Sequence, residues 1–437
     1  MLRILIDQRT LRIIICVFFI LKMITVSGRK GIGDYQQEWG HVSVRPHVHM
    51  FWWLFFTTAN VTNYTERPLI IWLQGGPGMP SSGYGNFLEI GPLDLNLKIR
   101  EHTWLNNFNL LFIDNPADVG FSYFTSPESN KRLAKSVDDI GRDLVSFIRK
   151  FLNLFEQFRT VPLYIFGESY GGKMAVEFAY QLYKKIENGT ITANFRGIGL
   201  GGAYISPIDY TKQYAQILYN FGIVDRKSFD KLVKIQRKIE NSIIKKNYHY
   251  AIKLEANLVS AIDEITRGID YYNFDRECNA TSLPNVLRFE NVTNSFMNNV
   301  IKESLNISEN ITWKYINADV YEALYNDIMK PVTTRVEELL NQSDVKIIVY
   351  NGVFDFIVNV AGTAEWLKNL SWIGREEWNN ATNQLLQVNF TNEGYFKRVR
   401  NLVFYSVLRA GHSVPIDNPA AMEEILKNEL LKDVEFT

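Results

Sequence analysis

The sequence is poor in cysteine. Two are present among 437 residues, Cys16 and Cys278. Cys16 lies in an N-terminal segment that reads as removable, which would leave Cys278 as an unpaired thiol and no intrachain disulfide. A chain this long can bury enough apolar surface to fold without such staples. Charge of one sign is also lacking. Forty-seven basic residues balance forty-seven acidic ones, so neither the electrostatic footprint of a nucleic-acid binder nor an acidic solvating tail is present. Histidine is scarce, with six in all, and no Cys/His spacing resembles a zinc site. No metal and no cofactor is implied. Beyond the N-terminus no apolar run is long enough to cross a membrane. Internal repeats and low-complexity tracts are absent.

What is present describes a globular chain that has entered the secretory route. Hydrophobic residues make up 46% and charged residues 22%, the balance of a folded domain rather than a disordered one. Arg3, Arg9 and Arg12 precede an apolar run from Ile13 to Ile20 that Lys22 interrupts, and Ser27-Gly28 follow. This is the layout of a signal peptide over residues 1–28, cleaved near Gly28. Eleven N-x-Ser/Thr sequons follow, at Asn60, Asn63, Asn188, Asn279, Asn291, Asn306, Asn310, Asn341, Asn369, Asn380 and Asn389. That number after a signal predicts a glycoprotein with N-linked glycans, secreted or lysosomal, with no membrane partner after cleavage.

Short continuous apolar runs recur, each ending in a glycine- or asparagine-rich loop. Residues 69–73, 110–113, 161–166, 195–200, 345–350 and 402–408 read as strands buried on both faces. Ile140, Leu144, Phe147, Ile148 and Phe151 recur at helical spacing behind Ser136, and a second helix is predicted from about Gly172 to Ile186. Strands alternating with helices predict an α/β fold with a mostly parallel central sheet and helices on both faces. The rhythm breaks after residue 207. The expected organisation is a core in two parts, 29–207 and 336–437, interrupted by a mainly helical cap over 208–335.

Chemistry gathers at the strand ends. Gly167-Glu168-Ser169-Tyr170-Gly171 stands between a buried strand and a helix, the context in which a sharp turn lifts a serine hydroxyl above a sheet. The catalytic partners in such a fold follow in the order acid, then histidine. Two histidines come after Ser169. His249 falls in the helical insertion, whereas His412 follows the last strand. Asp355 follows the strand ending at Tyr350 and Asp344 precedes it, so Asp355 lies at the strand edge where such sites are built. The predicted roles are Ser169 as nucleophile, His412 as base and Asp355 as the group that orients the imidazole. Tyr170 N–H, at a helix start, is one candidate oxyanion donor, and Gly76 N–H in the loop after the first buried strand is the other.

These segments resemble the serine carboxypeptidases of the α/β-hydrolase fold, and within them the retinoid-inducible branch. The likeness rests on Trp72-Leu73-Gln74-Gly75-Gly76-Pro77-Gly78, Gly85-Asn86-Phe87-Leu88-Glu89-Ile90-Gly91-Pro92, Asp114-Asn115-Pro116, Gly120-Phe121-Ser122-Tyr123, the serine motif with Gly172, Tyr350-Asn351-Gly352, and Gly411-His412-x-Val414-Pro415. It implies removal of residues from peptide or protein C-termini through a Ser-His-Asp triad and an acyl-enzyme. It also implies that Gln74, Glu89 and Glu168 receive the substrate's terminal carboxylate. Two adjacent carboxyls cannot both ionise easily, so one keeps its proton as a donor and activity is expected to favour acidic pH. Four positions depart from the family pattern: Gln74 for a frequent Asn, Met79-Pro80 at the expected substrate entrance, Ala117-Asp118 in place of a pair often ending in Gly, and Gly202-Ala203 for a usual Asp-Ser. Esterase or acyltransferase chemistry on the same triad, or a catalytically weak secreted binding protein, remain alternatives at this point.

Overall fold

The computed structural model describes residues 29–125, 132–276 and 289–431. The expected signal peptide, both cysteines and Asn279 lie outside them. Every other sequon asparagine is exposed.

Each apolar run forms a strand whose alternate side chains enter two different cores. In β3 (Leu69–Leu73), Leu69, Ile71 and Leu73 join one core, while Ile70 and Trp72 join the other. The same division holds for β4 (Asn109–Ile113) and β6 (Leu163–Glu168). Burial on both sides is why these segments are continuously apolar rather than alternating. With β7 (Phe195–Gly201), β8 (Lys346–Gly352) and β11 (Leu402–Val407) they form a parallel centre in the order β4-β3-β6-β7-β8-β11.

The sheet is wider than the six predicted strands. An antiparallel hairpin of β1 (Gln37–Arg45) and β2 (Val48–Phe55) extends it beyond β4, with the short β5 (Tyr123–Phe124) paired to β2. A second antiparallel pair, β9 (Gln384–Val388) and β10 (Thr391–Val399), extends it beyond β11. The result is a mixed sheet of eleven strands, parallel only at its centre.

Helices cover both faces. On one side α1 (Val137–Leu154) packs against α2 (Tyr170–Glu187); Ser136 caps α1 by accepting from the Asp139 amide. Between β7 and β8 the described residues form helices without strands, chiefly α3 (Arg226–Ile244), α4 (Tyr248–Thr266), α5 (Ala318–Ile328) and α6 (Thr333–Gln342). Past β8 come α7 (Val360–Asn369) and, near the chain end on the opposite face, α8 (Pro419–Leu426), whose Ala421, Met422 and Ile425 enter the second core.

Candidate active site

The turn after β6 carries the serine. Ser169 has φ 58° and ψ −126°, a conformation non-glycine residues rarely adopt, held because the turn is wedged between neighbouring backbones. A Cβ on Gly171 would stand 2.1 Å from the Leu73 carbonyl oxygen, and one on Gly167 would stand 2.3 Å from the Gly171 carbonyl oxygen. Glycine at both positions is therefore what lets the elbow close. Tyr170 begins α2, so its amide has no partner in the preceding turn. Neither the Tyr170 amide nor the Gly76 amide donates a hydrogen bond among the described residues. Both residues, with Ser169, border one cavity of about 440 Å³.

His412 and Asp355 meet at the ends of β11 and β8. His412 Nδ1 lies 2.7 Å from Asp355 Oδ2, and both side chains are buried. The other Asp355 oxygen accepts from the Val358 amide at 2.9 Å. With Nδ1 engaged, Nε2 is the remaining ring nitrogen, buried and without a hydrogen-bond partner. The Ser169 hydroxyl is thus not bonded to it in this state; catalytic contacts are often loose without substrate. Burial disfavours the imidazolium, but the Asp355 carboxylate more than offsets this and His412 sits above its ordinary value. Burial raises the Asp355 carboxyl, and the His412 charge partly offsets it. Asp344 precedes β8, at the far end of that strand. His249 lies exposed on the first turn of α4, against Asn326.

Glu168 and Glu89 are both buried, at 2% and 1% exposure. Gln74 Nε2 donates to Glu168 Oε1 at 3.1 Å, and Ser413 Oγ donates to the same oxygen at 3.1 Å. Trp72 Nε1 fixes the Gln74 amide by donating to its oxygen at 2.7 Å. Glu89 lies beside Glu168 and Ser413, its own oxygens buried without a hydrogen bond of normal geometry. Burial pushes the Glu89 carboxyl up to about 7. Burial and the adjacent Glu89 charge push Glu168 up as well. Two carboxyls side by side in a buried site hold one proton more readily than none, with the His412 and Arg100 charges pulling Glu89 the other way.

The departures fall at distinct places. Met79 and Pro80 are buried and lie outside the lining of this cavity. Asp118 adopts φ 75°, the left-handed conformation in which the family's glycine would be at ease. Gly202 has φ 43°, and a Cβ there would stand 2.9 Å from His412 Nδ1.

A family model described as "Serine carboxypeptidase" matches residues 29–432. The chain belongs to the serine carboxypeptidase family. It is 36% identical over 404 residues to the retinoid-inducible serine carboxypeptidase of Rattus norvegicus, covering 87% of this chain and 88% of that protein. It is 33% identical over 424 residues to serine carboxypeptidase-like 51 of Arabidopsis thaliana, covering 90% and 91%. Among solved structures it is similar to the prohormone-processing carboxypeptidase Kex1(delta)p of Saccharomyces cerevisiae, with TM-score 0.81, 24% identity, and 92% and 93% of the two chains covered. Membership of this family makes the chain a serine-type carboxypeptidase, a hydrolase of the α/β-hydrolase fold acting on peptides with C-termini.

Several residues of this site carried no signal in the sequence. Ser413, the second donor to Glu168, is an ordinary loop serine until the fold brings it there. Tyr272, whose carbonyl accepts from the His412 amide at 2.6 Å and whose ring lies 5.1 Å from the imidazole, comes from the helical segment far from either motif. Among the described residues no helix is long and apolar enough to cross a membrane, and no group of three or more potential ligand side chains could hold a metal ion.

Proposed function

We propose that the protein removes single residues from peptide C-termini through Ser169, His412 and Asp355, with the proton-holding pair Glu89–Glu168 and Gln74 receiving the substrate's terminal carboxylate. The observation that carries this reading is Glu168, buried beside Glu89 and directly preceding the serine at the elbow. A carboxyl that keeps its proton donates a hydrogen bond to a carboxylate it would otherwise repel.

The chemistry follows from these positions. Ser169 Oγ attacks the carbonyl carbon of the last peptide bond while His412 Nε2 takes the hydroxyl proton. The amides of Gly76 and Tyr170 stabilise the oxyanion, each such donor contributing about 3 kcal/mol in the transition state. The C–N bond breaks, His412 returns the proton to the leaving amine, and the C-terminal residue departs. Water, deprotonated by His412, then hydrolyses the serine ester. Asp355 holds the ring in the tautomer that leaves Nε2 free and stabilises the imidazolium. Residues 208–335 act as a cap beside this centre. The exposed sequons and the N-terminal signal pattern support a glycosylated enzyme of the secretory route, secreted or lysosomal.

The test is a peptide library varied at the C-terminus, incubated at pH 5 with the wild type and with Ser169→Ala. The expected result is loss of one terminal residue with the wild type alone. Internal cleavage, or equal release by Ser169→Ala, would overturn the reading.

A further inference from the structure

The cavity at Ser169 is built largely from tyrosine, with Tyr204, Tyr214, Tyr321 and Tyr325 on its walls. One side is a face of α4: Ile252, Glu255, Ala256, Val259 and Ser260 border it, the spacing of neighbours on a helix surface. Among these lining residues Glu255 carries the charge. Its Oε1 accepts from the Tyr204 hydroxyl at 2.9 Å, and Oε2 has no hydrogen-bond partner among the described residues. No lysine, arginine or histidine forms an ion pair with it there. Glu255 keeps partial contact with solvent through the cavity, and the desolvation it does undergo pushes its carboxyl up to about 7, the Tyr204 hydrogen bond working in the other direction. A carboxylate placed in a tyrosine-walled cavity without a counterion is costly to the fold, and none of the catalytic steps above uses it.

The cavity's position relative to the reacting atoms says which part of a substrate enters it. Ser169, Tyr170 and Gly76 border it, whereas Gln74, Glu89 and Glu168 do not. The terminal residue, whose carboxylate those three receive, lies on their side of the serine. The residue before it, which becomes the acyl group, is left to the cavity. A long basic side chain has the matching chemistry there: its cation pairs with Glu255, and tyrosine faces favour cations. From this we propose that Glu255 determines specificity, selecting lysine or arginine as the penultimate residue of the peptide. The inference rests on the carboxypeptidase reading, since that reading sets the direction of the bound peptide.

The experiment compares N-blocked dipeptides with one C-terminal residue and Arg, Lys, Leu or Glu before it. Release is measured as kcat/KM, and binding of the same dipeptides to Ser169→Ala is measured by calorimetry. The wild type is expected to favour Arg and Lys over Leu about tenfold or more, as one ion pair partly removed from water allows. Glu255→Gln, close in shape, should bring the Arg-to-Leu ratio towards one, and Glu255→Lys should shift the preference to Glu. A ratio unchanged by Glu255→Gln, or cleavage and binding that favour Leu in the wild type, overturns the inference while leaving the carboxypeptidase reading intact. Tighter binding of the Arg and Lys dipeptides to Ser169→Ala, lost in Ser169→Ala with Glu255→Gln, sustains it even if no dipeptide is cleaved; that absence of cleavage would count against the carboxypeptidase reading alone.

Discussion

At the scale of single residues, the site depends on which atoms are occupied and which are left free. Asp355 takes the Nδ1 side of His412 at 2.7 Å, leaving Nε2 buried without a partner. An amide in place of the carboxylate would keep the size and lose the charge that favours the imidazolium. Asp355→Asn is therefore expected to lower kcat by about 10⁴-fold with little change in KM, the pattern of a contact that matters in the transition state. Steady-state kinetics on a blocked dipeptide checks this, and retention of a tenth or more of wild-type kcat would contradict it. The same scale explains the tolerance of Asp118: aspartate is among the residues that reach φ 75° at modest cost.

At the scale of elements, the helical segment between β7 and β8 is fastened to α2, the helix that follows Ser169. Lys173 on α2 is fully buried and donates to the carbonyls of Asp327 and Ile328 at 2.6 and 2.9 Å, where α5 ends. Its ammonium is 3.8 Å from Asp327 Oδ2, which also accepts from the Tyr170 hydroxyl at 2.8 Å. Burial lowers Lys173 to about 8, with Asp327 pulling the other way. Removing the carboxylate alone leaves a buried cation poorly compensated, so Asp327→Asn should destabilise by about 3 kcal/mol, and the Asp327→Leu, Lys173→Met double variant by less. Urea unfolding measures both, and a double variant weaker than the single would contradict this account of the fastening. Little of it was legible in the sequence, because the partners are more than 150 residues apart and neither stands in a motif. The strands differed in the same way. Residues 69–73 and 110–113 were readable because burial on both faces leaves an unbroken apolar run. The two outer hairpins were missed. In β1 the signal was alternation, with Trp39, Val42 and Val44 buried between polar residues. In β9 and β10 most side chains are partly or fully exposed, so Gln384–Val388 and Thr391–Val399 carry no apolar run. Ser169, Asp355 and His412 are readable as triad candidates because each follows a strand end beside glycine, whereas Glu89, inside the helical turn Tyr84–Ile90, and Glu168 take their role only from the family resemblance; Ser413, Tyr272 and Glu255 are placed by tertiary structure alone.

At the scale of the whole molecule, the buried acids set a common direction. Glu89 and Glu255 are raised by burial to about 7 and Asp114 to about 6, and Glu168 and Asp355 are raised too. Between about pH 4.5 and 7 these acids therefore bind more protons in the folded chain than in the unfolded one, so their contribution to stability falls as pH rises, while His41 and His49, lowered by burial, act in the opposite sense. The raised His412 acts in the same sense as the acids, its contribution being lost as pH climbs through the folded value. Lys173, lowered to about 8, favours the folded state with rising pH only above that window. The melting temperature is thus expected to be higher at pH 5 than at pH 7.5 in scanning calorimetry, and the reverse order would contradict the burial of these acids. On the proposed reading, activity at acidic pH has its cause in the proton kept between Glu89 and Glu168, which is one of the contributions to this stability trend. The most direct measurement of that cause is KM against pH for a blocked dipeptide with a free C-terminus, beside its C-terminal methyl ester. With a proton lost near pH 7, KM for the free acid should rise about tenfold from pH 5 to pH 8, stay nearly level for the ester, and lose most of its rise in Glu168→Gln. A free-acid KM that stays flat across this range, or a rise that Glu168→Gln leaves intact, would contradict the account.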